Sequence, residues 1–313
     1  MKCLVTGGAG FIGSHLVDRL LDKGNQVRVF DNLSSGRMEF LGAAQKKKGF
    51  EFVEADLLDL EKVVAAMKGV DMVFHIAANP DIRYGTTQTD VDLKQGTIAT
   101  YNVLEAMRRC GVKKIAFSSS STVYGEATKI PVPEDYGPVM PISLYGASKL
   151  AAEGLITAYS STFDIQAWIF RFANIIGSRG THGVIVDFIN KLEKSPRELE
   201  ILGDGTQSKS YLLVEECVDG IMHAIGRSNE KVNIFNLGCE DWVTVARIAE
   251  IVVGELGLKE VSFNYTGGKR GWRGDVPKIM LAPAKLGKLG WKAKHGSDEA
   301  VVLAARAVIR EMK

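Results

Sequence analysis

Cys3-Leu4-Val5-Thr6-Gly7-Gly8-Ala9-Gly10-Phe11-Ile12-Gly13 stands almost at the start of the chain, and its reading decides the fold. The apolar run before the glycines reads as a strand. Phe11 to Leu21 carries apolar residues at helical spacing, and Gln26 to Phe30 reads as a second strand that ends on Asp31. Strand, glycine turn, helix, strand and acid, in that order, make the βαβ unit that binds a dinucleotide. Gly7, Gly10 and Gly13 let the backbone turn tightly, approach a pyrophosphate and pack helix on strand. The helix start at Phe11 and Ile12 offers unpaired N–H groups to the phosphates. Asp31, eighteen positions beyond Gly13, can accept hydrogen bonds from an adenosine ribose and would repel a 2′-phosphate, which favours NAD over NADP. Arg37 keeps the second cofactor open.

Working outward, strands and helices alternate through the first half, as in a doubly wound parallel sheet. Asn32-Leu33-Ser34-Ser35-Gly36 is a turn-rich loop after Asp31. A third strand, Phe50 to Glu54, runs into Asp56-Leu57, where the carboxylate either holds an adenine edge or caps a helix over Leu60 to Met67. A fourth strand, Met72 to His75, ends at Ala77-Ala78, small residues that allow a ligand close. Val91 to Arg109 reads as a long helix, Lys114 to Ser118 as a fifth strand, Ser143 to Ser160 as a second long helix and Gln166 to Phe170 as a strand. Beyond Arg171 the alternation loosens. Asn174 to Gly177 and Gly180 to Gly183 read as loops, Val184 to Leu192 as a short helix, and Tyr211 to Ile225 with Ile234 to Leu237 as segments returning to the first domain.

Composition narrows the possibilities. A net charge of +2 over 313 residues predicts no nucleic-acid partner, and Lys46-Lys47-Lys48 reads as a solvated turn. Cys3, Cys110, Cys217 and Cys239 form no C-x-x-C pair, which suits a reducing cytoplasm. The five histidines show no ligand-like spacing, so no metal is expected. No apolar run reaches the length of a membrane span, and the immediate entry into a strand leaves no room for a signal peptide.

Two polar features follow the fifth strand: Ser118-Ser119-Ser120-Ser121-Thr122-Val123-Tyr124-Gly125 and Tyr145-Gly146-Ala147-Ser148-Lys149. Four residues apart on a helix, Tyr145 and Lys149 share a face. An ammonium beside a phenol favours the phenolate, so the pairing predicts a lowered tyrosine pKa. Such a tyrosine can take a hydroxyl proton while hydride leaves the same carbon for a nicotinamide, and a strand-end serine can relay that proton. The serine run lacks a G-x-S-x-G elbow and is no hydrolase nucleophile. Each feature alone is commonplace; the glycine fingerprint, the serines and the Tyr/Lys pair in sequence make the case.

With these residues in view, the chain resembles the extended short-chain dehydrogenase/reductase family, and within it the UDP-glucose 4-epimerases. The resemblance rests on Thr6 to His15, Asp31 to Gly36, Asp56-Leu57, Ser118 to Ser120, Thr122 to Gly125, Tyr145-x-x-x-Lys149, Arg171 to Asn174, Leu202 to Thr206, Gly274-Asp275-Val276 and Leu289-Gly290-Trp291. It implies an α/β fold, a Rossmann-type doubly wound parallel sheet with a smaller C-terminal α/β substrate-binding lobe. NAD would bind residues 1–171 with returning segments near 211–240, and a UDP-sugar would bind 172–210 and 241–313. Ser120, Tyr145 and Lys149 would be catalytic. Ser118 and Phe172 would join the glycine loop, Asp31-Asn32, Ser34-Ser35-Gly36, Asp56-Leu57 and Ala77-Ala78 around the cofactor. Asn174, Gly183, Val184, Lys209, Asp275 and either Arg270 or Arg273 would bind substrate with Ser120 and Tyr145.

Within the family, Ser121-Thr122 replaces the acids of related dehydratases and decarboxylases, which leaves hydride removal and return at the sugar C4 as the expected reaction. Alternatives are another nucleotide-sugar epimerase acting on N-acetylhexosamines or uronates, a keto-sugar reductase, and a non-catalytic NAD-binding sensor. Gly96 stands where relatives have Asn, and Ile279 where some have a bulky Tyr. Relatives dimerise through two long helices, so a cytoplasmic homodimer is implied, built on Val91–Arg109 and Ser143–Ser160.

Overall fold

β1 (Lys2–Thr6) is buried along nearly its whole length, as a central strand covered on both faces should be. It belongs to a computed structural model that describes residues 1–312. The chain divides into two units. The first takes residues 1–123, 144–171 and 221–235, and the second takes 124–143, 172–220 and the chain from Asn236 onward.

In the first unit β1 is followed by α1 (Phe11–Asp22), β2 (Gln26–Asp31), β3 (Phe50–Glu54), α2 (Leu60–Met67), β4 (Met72–His75), α3 (Ala99–Cys110), β5 (Lys114–Ser120), α4 (Leu144–Phe163) and β6 (Gln166–Phe172). The seven-stranded sheet runs β11-β6-β5-β4-β1-β2-β3, with β11 (Val232–Leu237) returning late in the sequence. Pairing from β3 across to β5 is parallel. Reversal of strand order beside β1 opens a crevice at the carboxyl ends of the strands, where ligands bind in this architecture. The apolar faces of α2, α3 and α4 close on the sheet through Met67, Val103, Met107 and Ile156 against Val73, Ile115 and Ile169.

Three elements differ from the sequence expectations. The helix expected from Val91 is a π-helix over Leu93–Ile98, where Gly96 alone is buried, before α3 begins. β5 continues to Ser120, since the polar side chains of Ser118 and Ser119 find buried acceptors. Asp59, rather than Asp56, caps α2 by accepting from the Lys62 N–H.

The second unit contains β7 (Asn174–Ile176), α5 (Val184–Lys194), β8 (Glu198–Ile201), β9 (Ser208–Lys209), β10 (Tyr211–Leu213) and the start of α6 (Val214–Arg227). After β11 come β12 (Val243–Thr244), α7 (Val245–Glu255), β13 (Ser262–Tyr265), β14 (Lys278–Ile279), α8 (Ala284–Lys288) and α9 (Ser297–Met312). Short sheets pair β10 with β7, β9 with both β12 and β14, and β13 with β8. Asn174–Ile176, expected as loop, is therefore a strand whose partner lies far along the chain. Residues 124–143, expected with the first domain, lie in the second unit, where the Val132 N–H donates to the Met280 carbonyl and Tyr124 Oη to Asn236. α5, α7 and α9 share this unit's core through Phe188, Ile248 and Val301.

Candidate active site

The glycine loop is shaped by close approach. Gly7 has φ +68°, and a Cβ there would come within 2.7 Å of the Ala77 backbone. At Gly13 a side chain would run into the Gly7 carbonyl. No side chain caps the N-terminus of α1, so its first N–H groups stay available to an anion. Asp31 is aimed back at this loop: its two carboxylate oxygens accept from the Ala9 and Leu33 N–H groups, each at 2.9 Å. Burial raises its pKa, and the two backbone bonds oppose that rise. Each oxygen keeps a further lone pair, which fits a ribose diol. Asn32 donates to Asp56 and accepts from the Ser34 N–H and hydroxyl, tying Asp56 and the Ser34-Ser35-Gly36 loop to the end of β2. Leu57 is buried, with its carbonyl held by Asn102. Ala77 lies against Gly7, and Ala78 follows it half-buried. These residues fit a dinucleotide.

β5 and α4 bring the expected chemical group together. Ser120 hydrogen-bonds the phenol of half-buried Tyr145 and accepts from the Thr122 N–H. The Lys149 Nζ donates to the Ser118 carbonyl at 2.6 Å and lies 5.7 Å from the centre of the Tyr145 ring. The Ser118 hydroxyl donates in turn to the His75 carbonyl. The electrostatics depart from expectation. Burial pushes the Tyr145 phenol up, the charge of Asp92 adds to that, and only the Ser120 hydrogen bond opposes it. Burial likewise drives Lys149 down to about 7, against the pull of Glu153 and Asp92. An ammonium weakened by its own desolvation does not dominate its neighbour.

Sequence reasoning missed Glu153. It sits one turn beyond Lys149 on the same inward face, is buried, and takes two bonds from Arg171 of β6 (2.7 and 3.0 Å) with a third from Ser119. The spacing Tyr-x-x-x-Lys-x-x-x-Glu was there to be seen. A second missed group is a buried relay. Thr100 Oγ1 donates to the Gly96 carbonyl, so it accepts from His75 Nε2, and His75 Nδ1 faces the Thr6 hydroxyl at 2.7 Å. Gly96 is also explained: a Cβ there would fall 2.5 Å from the Ser148 hydroxyl, which occupies the space.

In the second unit Lys209 pairs with buried Asp275 at 2.5 Å and lies 5.0 Å from the Trp272 ring. The other Asp275 oxygen accepts from the Gly271 N–H. Arg270 is engaged by the Asp275 carbonyl and Glu126, whereas Arg273 is exposed and makes no ion pair among the described residues. Asn174 donates to the Ser210 carbonyl, next to Lys209, and Gly183 with Val184 opens α5. Phe172 is buried, and Ile279 is buried beside Lys209 in register.

The model of the NAD dependent epimerase/dehydratase family matches residues 3–238. The chain belongs to that family. It is 35% identical over 306 residues to a putative UDP-glucose 4-epimerase of Methanocaldococcus jannaschii, covering 95% of each chain. Among solved structures it resembles a UDP-galactose 4-epimerase at a TM-score of 0.90 and 42% identity, covering 100% of both chains. It also resembles the Thermotoga maritima UDP-glucose 4-epimerase crystallised with UDP-glucose, at a TM-score of 0.90 and 31% identity, again over 100% of both.

Proposed function

We propose that the protein is an NAD-dependent UDP-hexose 4-epimerase that interconverts UDP-glucose and UDP-galactose. The observation that carries this reading is the Ser120–Tyr145–Lys149 group at the end of β5, with Ser121 and Thr122 where an eliminating enzyme would need acids. When bound, NAD supplies hydride acceptance and return at the sugar C4 and a fixed positive charge. Tyr145, as its phenolate, would take the proton of the sugar 4-hydroxyl at Oη and later give it back, with the Ser120 hydroxyl as its hydrogen-bonded partner; the positive charge of bound NAD would favour that phenolate against the burial that opposes it. Lys149 holds the geometry by anchoring on the Ser118 carbonyl. Because the sugar must present both faces in turn, the grip belongs on the UDP. Lys209 and exposed Arg273 are the cations we assign to the diphosphate, with Asn174, Gly183, Val184, Asp275 and Arg270 shaping that lobe.

The same reading makes the protein a homodimer. α4 leaves Leu144, Ala147, Ala151 and Gly154 exposed at helical spacing, and the preceding helical segment leaves Leu93, Ile98 and Tyr101 exposed. Two such faces meet well as a four-helix contact. Four free cysteines suit a cytoplasmic location, and among the described residues no helix is long and apolar enough to cross a membrane.

Purified protein given UDP-galactose and no added cofactor should yield UDP-glucose. Tyr145→Phe should lower kcat by roughly 10²- to 10⁴-fold with KM little changed. Full activity in that variant would remove Tyr145 from the mechanism, and turnover of UDP-N-acetylglucosamine alone would move the substrate assignment to acetylated sugars.

A further inference from the structure

Asp92 is a carboxylate with no evident reason to be inside. It stands at the start of the π-helix, 1% exposed, and one of its oxygens accepts from the Asn79 side chain at 3.0 Å. The other, Oδ2, is buried and has no hydrogen-bond partner among the described residues. The surroundings are built to admit it. Asn79 is fixed by both the carbonyl and the N–H of Asp81. Gly85 closes over Oδ2, where a Cβ would sit 2.7 Å from that oxygen and 3.4 Å from the Leu144 Cβ. The free oxygen therefore lies beside the first turn of α4, the turn that carries Tyr145. Leaving a carboxylate so placed is costly unless a cation answers it.

The charges nearby identify that cation. Arg83 is closed on Asp81, and Lys94 on Asp90, both at the surface. His75, at the end of β4, is held neutral by burial, with its pKa down to about 3. Glu153 already shares both oxygens with Arg171. Lys149 is the remaining buried cation: burial raises the Asp92 carboxyl, and Asn79 and then Lys149 oppose that rise, while burial lowers Lys149, and Glu153 and then Asp92 oppose that fall. Counting Lys149 and Arg171 against Glu153 and Asp92 leaves the buried cluster neutral; without Asp92 it would carry an unanswered positive charge.

We propose that Asp92 is a positioning residue for the reaction, acting through Lys149: its carboxylate, with no cation of its own, adds to Glu153 the counter-charge that keeps the lysine an ammonium beside the Tyr145 phenol. The inference rests on the catalytic reading above, so its test has a readout independent of turnover. In protein labelled with ¹³C,¹⁵N-lysine, the Lys149 signal is assigned by its loss in Lys149→Met and titrated by NMR. In Asp92→Asn the lysine should lose its proton on the order of one pH unit lower than in the native protein. An unchanged titration would overturn the proposal. Should that variant fail to fold, Asn79→Leu removes the one hydrogen bond that the carboxylate accepts among the described residues, favours its neutral form and should displace Lys149 in the same direction. In turnover, Asp92→Asn should move the alkaline limb of the kcat–pH profile to lower pH with KM kept. A merely structural role would lower kcat at every pH and leave that limb in place. Native protein inactive on UDP-sugars would sink the function but leave the lysine titration to judge Asp92.

Discussion

His75 has no exposed surface, and both of its ring nitrogens face threonine hydroxyls. Burial holds its pKa near 3 in the fold, against about 6.5 in an unfolded chain. Its folded value is the lower one, so the unfolded state binds the extra proton as pH falls below 6.5. The stability His75 lends is complete above that pH and is lost on acidification toward 3. Urea denaturation should show the native protein losing about 2 kcal/mol between pH 6.5 and 5, a loss that His75→Asn should not share. The raised carboxyls of Asp31 and Asp92 oppose the loss by gaining protons in the fold, equally in both proteins, so the difference between the two reads His75. Glu105, held at about 2 by Arg108 and Arg109, acts only below its ordinary range. Equal acid sensitivity in both proteins would mean that the histidine is not the sensor. Nothing in the sequence around His75 announced this role, because the Thr6–His75–Thr100 chain joins residues from three separate elements.

α4 and the π-helix show how an element can carry a substitution that the sequence alone presents as a defect. Gly96 leaves room for the Ser148 hydroxyl, which donates to the Tyr145 carbonyl at 2.8 Å. Gly96→Ala should therefore destabilise the fold by about 1–3 kcal/mol, and pairing it with Ser148→Gly should restore part of the loss. Additive damage in the double variant would show that the two positions do not share space. The glycine turn, the parallel strands through β5 and the Tyr145/Lys149 face were legible because each rests on local spacing. The π-helix was not, since a wider turn leaves the apolar pattern of a helix nearly intact. The direction of the Tyr145 shift was misjudged for a related reason: burial and the charge of Asp92 arise from residues distant in sequence.

The partition of the chain was the least legible feature. Residues 124–143 hold four of the chain's eight prolines, but composition names no partner, and theirs are Met280, Leu281 and Asn236, far downstream. The proposed homodimer rests on the exposed stripe of α4 formed by Leu144, Ala147, Ala151 and Gly154. Ala151→Glu, set in the middle of that stripe, should yield a monomer by light scattering while the UV and visible spectra keep any bound cofactor signal. A dimer unaffected by the new charges would place the contact elsewhere.

The late return of β11 bears on how the protein is made. When β5 leaves the ribosome its outer edge has no neighbour, because β6 and β11 are encoded downstream. At roughly 5–20 residues per second, translation from β5 to β11 takes on the order of ten seconds. Throughout that interval a buried-type strand edge is open to wrong pairing. The nascent chain should therefore depend on chaperone shelter more than its finished form suggests.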